Sequence, residues 1–202
     1  MKMGTARALW RYDGAAACAI RPNNQQPTAI LRYDSWASGA ARGEARYKRH
    51  GKANHMDAEL RLVLEWAYPG EEARYFSPMS IGGAPEHADE GVTLILNGVK
   101  TLTSSAFWNY PDGKIPFVGA LSVLVDGAGR PRGIVETTRV EIMPFQAINE
   151  DMARDYGEGD RTADWWRRVM GEFYRTSATR YGAAFSDDTA LIWEWFAVVR
   201  RL

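Results

Sequence analysis

The chain of 202 residues is short of the side chains that build metal, redox and histidine-centred sites. Its single cysteine, Cys18, excludes an intramolecular disulfide framework and any multi-cysteine metal site, and it suggests a reducing compartment. Of the three histidines, His50, His55 and His87, only His87 lies in a patterned segment, so neither a histidine metal cluster nor a histidine-based triad is expected, and no cofactor is implied. There is no run of eighteen apolar residues, which excludes a membrane-spanning helix. There is also no net charge: 25 basic residues balance 25 acidic ones, removing any bulk electrostatic argument for nucleic acid or a membrane surface. What is present, 46% hydrophobic residues and eight tryptophans, suffices for a sizeable core.

The zero charge is a sum of unlike parts. Residues 1–55 carry ten Lys/Arg and three Asp/Glu, net +7, whereas residues 56–202 carry fifteen and twenty-two, net −7. The first segment has twelve alanines and only Leu9, Ile20, Ile30 and Leu31 from the large aliphatic and Phe set. Ordering a backbone costs roughly 1 to 2 kcal/mol per residue, which so little apolar area does not offset, so a disordered leader is expected. Three readings of it compete: a stretch upstream of a true start at Met56, a basic nucleic-acid-binding arm centred on Arg46 to Lys52, or an Arg-rich transit peptide. A secretory signal is not indicated, because no apolar segment follows Lys2.

From Met56 the pattern is regular. Leu60, Val63, Leu64 and Ala67 recur at helical spacing until Pro69-Gly70. Pro85 opens a second helix with Val92, Ile95 and Leu96 on its apolar face, and Gly98 closes it. Lys100 to Ser105, a loop over 108–113, and a buried strand Ala120 to Asp126 follow. Asp126-Gly-Ala-Gly-Arg-Pro predicts a hairpin into an alternating strand from Gly133 to Met143, with Arg130 and Arg132 read as solubility residues at its tip. A short helix over Asn149 to Tyr156, a longer one over Arg161 to Tyr181 and a strand over Ala190 to Val199 complete the chain. Trp165, Trp166, Val169, Met170, Phe173 and Tyr174 are expected on or near the buried stripe of the long helix. Trp193 and Trp195, on one face of the last strand, read as core. The expected fold is α+β: one domain at 56–202 with a small mixed β-barrel flanked by helices.

Two segments could carry chemistry. In Gly98-Val99-Lys100-Thr101-Leu102-Thr103-Ser104-Ser105, a lysine and several hydroxyls leave a helix end together. The lysine either complements the helix dipole, worth about 0.3 to 1 kcal/mol, or is desolvated and serves as a fixed cation beside a hydroxyl nucleophile. A regular strand would place Lys100 and Thr103 on opposite faces, so the second reading requires a turn or bulge. Gly157-Glu158-Gly159-Asp160 sets two carboxylates in a glycine-rich break. Asp160 or Thr162 can be a helix N-cap, while Glu158 is left over and could act as a general base or pair with Lys100. Trp108 and Tyr110 in their loop either stack a base or lid the core.

These residues resemble a known family. Gly98-Val99-Lys100-Thr101-Leu102-Thr103 is similar to the G-x-K-x-x-T motif of the ASCH domain, of the PUA-like β-barrel superfamily. The resemblance continues in order through Asp126-Gly-Ala-Gly-Arg-Pro, Thr137-Thr138-Arg139-Val140, Pro144-Phe145, Met152-Ala153, Gly157-Glu158-Gly159-Asp160, Trp166-Arg167, Phe173, Tyr181-Gly182 and Phe196-Ala197-Val198-Val199. It covers roughly residues 76–200. It implies a protein acting on RNA or modified nucleosides. Small members of the family hydrolyse the acetamide of N4-acetylcytidine with a Lys, a Thr and a Glu, which fall on Lys100, Thr103 and Glu158; a longer member is a ribonuclease, and others are believed only to bind RNA. Two positions depart from the longer members, which usually have a glutamate where Tyr156 stands and a histidine where Met170 stands.

The expectations are therefore a cytoplasmic hydrolase using Lys100, Thr103 and Glu158, with Ser104, Ser105, Trp108 and Asp160 binding substrate and no metal or cofactor. The partner would be a modified nucleoside or single-stranded RNA, with no membrane and no obligate protein partner. The alternatives are an RNA-binding module or ribonuclease-like relative, and a sensor for a nucleotide-like ligand.

Overall fold

A computed structural model describes residues 51–82 and 84–202, which fall within one compact unit. The expected leader therefore lies almost wholly outside the described residues. Helix α1 spans Gly51–Ala67, starting five residues before the expected Met56. Strand β1 (Tyr75–Met79) and helix α2 (Pro85–Leu96) follow, then strands β2 (Leu102–Ala106), β3 (Leu121–Val125) and β4 (Pro131–Pro144). Helices α3 (Glu150–Tyr156) and α4 (Ala163–Tyr181) precede the closing strand β5 (Ala190–Arg201).

The strands form one five-stranded sheet in the order β1-β3-β4-β5-β2, with β1 parallel to β3 and the other pairs antiparallel. The expected closed barrel is not formed: β1 and β2 end the sheet at opposite edges and do not pair. The sheet is nevertheless curled, because its two longest strands, β4 and β5, carry register shifts at Ile134/Val135 and Thr137/Arg139, and such bulges increase local twist. Strand β1 was not expected from the sequence. Its Pro78 would break a central ladder but is tolerated at an edge, and that is where the strand lies.

Helices cover both faces of the sheet. On one, α1 buries Leu60, Leu64 and Ala67 against Leu121, Val123 and Ile134. On the same strands, the alternate positions Leu124 and Val135 join Phe196 and pack under Val92 and Ile95 of α2. Along β5 the partition repeats: Leu191 and Trp193 face α3 and α4, whose Trp166, Met170 and Tyr174 complete that core. Phe173, expected near the buried stripe, is 47% exposed, since it lies on the flank of α4.

The β3–β4 hairpin forms as expected, but its arginines do more than keep it soluble. Asp126 is buried, accepts the backbone N–H groups of Ala128 and Arg130, and pairs with the Arg130 and Arg132 guanidiniums at 2.9 and 3.3 Å. The N–H of Arg130 and the two guanidiniums hold its carboxyl down at about 2, against the opposing effect of desolvation. A carboxyl whose folded pKa lies below its unfolded one stabilises above the unfolded value and loses that contribution as pH falls through the folded value. The stability difference between the native chain and Asp126→Asn, measured by urea unfolding, is therefore expected to be full above about pH 4 and to shrink as pH approaches 2.

Candidate functional site

Lys100 lies in the turn between α2 and β2, so the irregular backbone that the functional reading requires is present. Gly98 adopts φ +70°, and the N–H groups of Val99 and Lys100 both bond to the Leu94 carbonyl. The segment is then pinned from the other side: the Thr101 N–H donates to the Asp155 carbonyl at 2.8 Å, and the Phe196 N–H donates to the Thr101 carbonyl at 2.9 Å. The end of α3 comes down directly on this turn. Gly157 has φ +74°, and a Cβ there would lie 2.5 Å from the Val99 carbonyl oxygen and 2.8 Å from the Lys100 Cα. Glycine is thus required both by the dihedral angle and by the close approach.

This docking brings Lys100 and Glu158 together. The Lys100 ammonium is sealed from solvent, lies 2.7 Å from Glu158 Oε1, and donates to the Tyr156 carbonyl at 3.0 Å. It also stands 3.5 Å from the centroid of the Tyr156 ring, a cation–π contact. The carbonyl belongs to the last turn of α3, so Lys100 does complement a helix end, though of α3 rather than of the preceding helix. Desolvation lowers the Lys100 pKa to about 8, with the charge and hydrogen bond of Glu158 opposing the fall. Glu158 keeps a quarter of its side-chain surface in solvent, which makes it the open side of the pair.

The two departures from the family pattern meet one another. Tyr156 and Met170 are both buried, and the Tyr156 hydroxyl donates to Met170 Sδ at 3.7 Å. Where the resemblance implied an acid and an imidazole, this chain builds an apolar wall against Trp166 and Trp193 beside the lysine. Burial, with the Glu158 charge second, pushes the Tyr156 pKa up, so its phenol stays neutral.

The other expected residues divide. Thr103 makes no hydrogen bond or ion pair with Lys100 or Glu158. It approaches the Tyr156 hydroxyl and pairs across the sheet with Glu194. Ser104 shares a 2.7 Å hydrogen bond with the Tyr174 hydroxyl, and Ser105 shares one of 2.9 Å with Tyr110. Trp108 donates its indole N–H to Ser177 and packs edge-on to Tyr174, the arrangement of a lid on the core. Asp160 is exposed, and its Oδ1 accepts from both the backbone and the hydroxyl of Thr162, which itself caps α4 through the Trp165 N–H. That is the capping arrangement.

Sequence reasoning missed Glu194, which is buried on the face of β5 opposite Trp193 and Trp195 and accepts from the Thr137 hydroxyl at 2.6 Å. It also missed a cleft of about 560 Å³ at the far end of β5, lined by Asn97, Thr101, Arg200 and Arg201 among others, and a second of about 410 Å³ with Arg130, Arg132 and Arg201. Among the described residues no group of three or more His, Cys, Asp or Glu side chains is placed to hold a metal ion, and no helix is long and apolar enough to cross a membrane.

The chain is similar to an ASCH domain from Lactobacillus crispatus at 27% identity and a TM-score of 0.62, over 77% of this chain and 99% of that one. A protein from Enterococcus faecalis shares the fold at 24% identity and a TM-score of 0.59, over 71% of this chain and 90% of that one. No curated protein matches in sequence. The ASCH domain family model matches residues 77–200, the stretch that holds Lys100, Thr103 and Glu158 and more than half of the sequence: the chain belongs to the ASCH domain family.

Proposed function

We propose that this protein hydrolyses the amide of a small N-acylated nucleoside, with N4-acetylcytidine as the substrate to test. The observation that carries the reading is the Lys100–Glu158 pair: a fully buried ammonium 2.7 Å from a carboxylate that is open to solvent. Glu158 takes a proton from an attacking water, the oxygen adds to the amide carbonyl, and Lys100 stabilises the negative oxygen that develops. Collapse of the adduct breaks the C–N bond, and the proton held by Glu158 passes to the leaving N4 nitrogen. Because Thr103 has no bond to Glu158, water suits the attack better than the threonine, whose hydroxyl instead positions water or substrate. The net charge of −7 over residues 56–202 agrees with an uncharged substrate.

The lysine acts in its protonated form. Its pKa of about 8 keeps it charged at neutral pH and lets it lose the proton above that value. Turnover of N4-acetylcytidine by the full chain is therefore expected to fall on the alkaline side with a midpoint near 8. A rate that is flat between pH 7 and 10 would remove Lys100 from the oxyanion role, and absence of turnover on N4-acetylcytidine and other N-acyl nucleosides would remove the reading itself.

A second reading is supported by the arginine-lined clefts. The ASCH fold belongs to the PUA-like superfamily, in which RNA binding is general. Among the described residues, Arg200 and Arg201 pair with no carboxylate and bond to the main-chain carbonyls of Ala67 and Leu96, and Arg200 stacks on Trp66, which is 69% exposed. Unneutralised guanidiniums beside an exposed indole suit a single strand, whose affinity would fall steeply with salt. Salt-insensitive or absent binding of labelled single-stranded RNA would dismiss this reading.

A further inference from the structure

The geometry points to Tyr156 as the positioning residue of the hydrolytic pair: its carbonyl and the face of its ring hold two of the three Lys100 N–H groups, so that the third serves the open side where Glu158 lies. The inference rests on the nucleoside hydrolase reading and adds the residue that aims its cation.

An ammonium carries three donors on a flexible four-carbon stem, so nothing in lysine itself fixes where each N–H points. Around Lys100 Nζ there are three contacts: the Tyr156 carbonyl at 3.0 Å, the centroid of the Tyr156 ring at 3.5 Å and Glu158 Oε1 at 2.7 Å. Two of the three thus come from one residue. Tyr156 is buried, whereas Glu158 keeps a quarter of its side chain in solvent, so a substrate reaches the ammonium from the Glu158 side. Once Glu158 has taken a proton from the attacking water, its hold on the ammonium weakens, and the N–H it held turns to the developing oxyanion. The other two stay tied to Tyr156, which keeps the cation from turning away.

The ring is itself fixed. Tyr156 ends α3, and the left-handed Gly157 after it lets that helix end come down on the Lys100 turn. The Tyr156 ring packs edge-to-face with Trp166, centroids 5.6 Å apart, and its hydroxyl donates to Met170 Sδ. Trp166 in turn packs on Trp193 of β5 at 5.0 Å, which ties the ring to the sheet. Out of water, the attraction between a cation and an aromatic face is stronger than at an exposed site. An aromatic face also holds the cation without taking a proton. A carboxylate in its place would grip the ammonium too, but it would compete with Glu158 for the proton of the attacking water.

The test replaces Tyr156 in the full chain by phenylalanine, and then by phenylalanines with increasing ring fluorination, which weakens the negative face of the ring while barely changing its shape. Carbon-13 at the lysine ε position follows the titration of Lys100, assigned by the loss of its signal in Lys100→Met. From the Tyr156→Phe reference, the Lys100 midpoint is expected to fall stepwise with fluorination, by about 0.5 to 1 pH unit across the series. The alkaline limb of N4-acetylcytidine turnover is expected to move with it. Tyr156→Leu, which keeps the carbonyl and loses the ring, is expected to have a kcat at least about tenfold below that of Tyr156→Phe. A midpoint that stays flat across the series overturns the proposal, as does a Leu variant with the kcat of the Phe variant. Should the Leu variant fail to fold, the fluorinated series decides alone. The two readings fail separately. A stepwise titration without deacetylation removes only the hydrolase, whereas deacetylation whose alkaline limb ignores fluorination removes only the role of Tyr156.

Discussion

Lys100→Met is expected to lower turnover of N4-acetylcytidine by about 10²- to 10³-fold or more, the usual consequence of removing a transition-state oxyanion donor. It is expected to do so while changing folding stability by less than about 2 kcal/mol in either direction. The two parts follow from opposite sides of one interaction. Holding a sealed ammonium whose pKa has dropped from 10.5 to about 8 costs on the order of 3 kcal/mol at neutral pH. Methionine removes that cost, but it also leaves the Tyr156 carbonyl without its donor and Glu158 without its partner, the latter free to hydrate through its exposed quarter. The pH dependence separates these contributions. Between about pH 8 and 10.5 the unfolded lysine holds a proton that the folded one has released, so native stability rises across that window. Calorimetric unfolding at the two ends of the window should show the rise in the native chain and not in the variant. A variant that loses several kcal/mol at pH 7 would mark the pair as structural.

Gly157→Ala should disrupt the site through the main chain itself. The added Cβ meets the Val99 carbonyl oxygen at 2.5 Å and the Lys100 Cα at 2.8 Å, both main chain that cannot swing aside, on a residue already at φ +74°. The expected cost is about 3 kcal/mol or more, together with loss of the Lys100–Glu158 contact and hence of turnover. Gly98→Ala supplies the control. Gly98 has a similar φ, +70°, but nothing within 4 Å of the added carbon, so it should lose only about 1 kcal/mol. Urea unfolding of the two variants distinguishes the dihedral cost from the close approach. Equal losses would mean that α3 does not press on the Lys100 turn as described.

The site was legible where its chemistry was local. Lys100 and Glu158 stood out because a lysine after a helix-ending glycine and a glutamate between two glycines have residues left over once capping is satisfied. The structure puts those leftovers in contact. Asp160 and Trp108 were also legible, in their plainer readings as a capping residue and a lid. Glu194 was not. A glutamate between two core tryptophans reads as the solvent face of a one-sided strand, and only the cover on both faces of the curled sheet turns that position inward. Strand β1 escaped for a related reason: Tyr75–Met79 has no alternation and contains a proline, and its pairing with β3 is a long-range parallel contact that no local pattern announces. The barrel was over-read from the run of mostly antiparallel strands, because five strands in the observed order leave β1 and β2 unpaired at the edges.

In the proposed hydrolytic centre, the buried ammonium of Lys100 and the open carboxylate of Glu158 work as a pair. Release of acetate from N4-acetylcytidine, followed for the full chain beside Lys100→Met, tests it most directly. Turnover by the native chain is expected to decline above about pH 8 and to be lost in the variant. Turnover that survives unchanged in Lys100→Met, or none by the native chain at any pH, would contradict it.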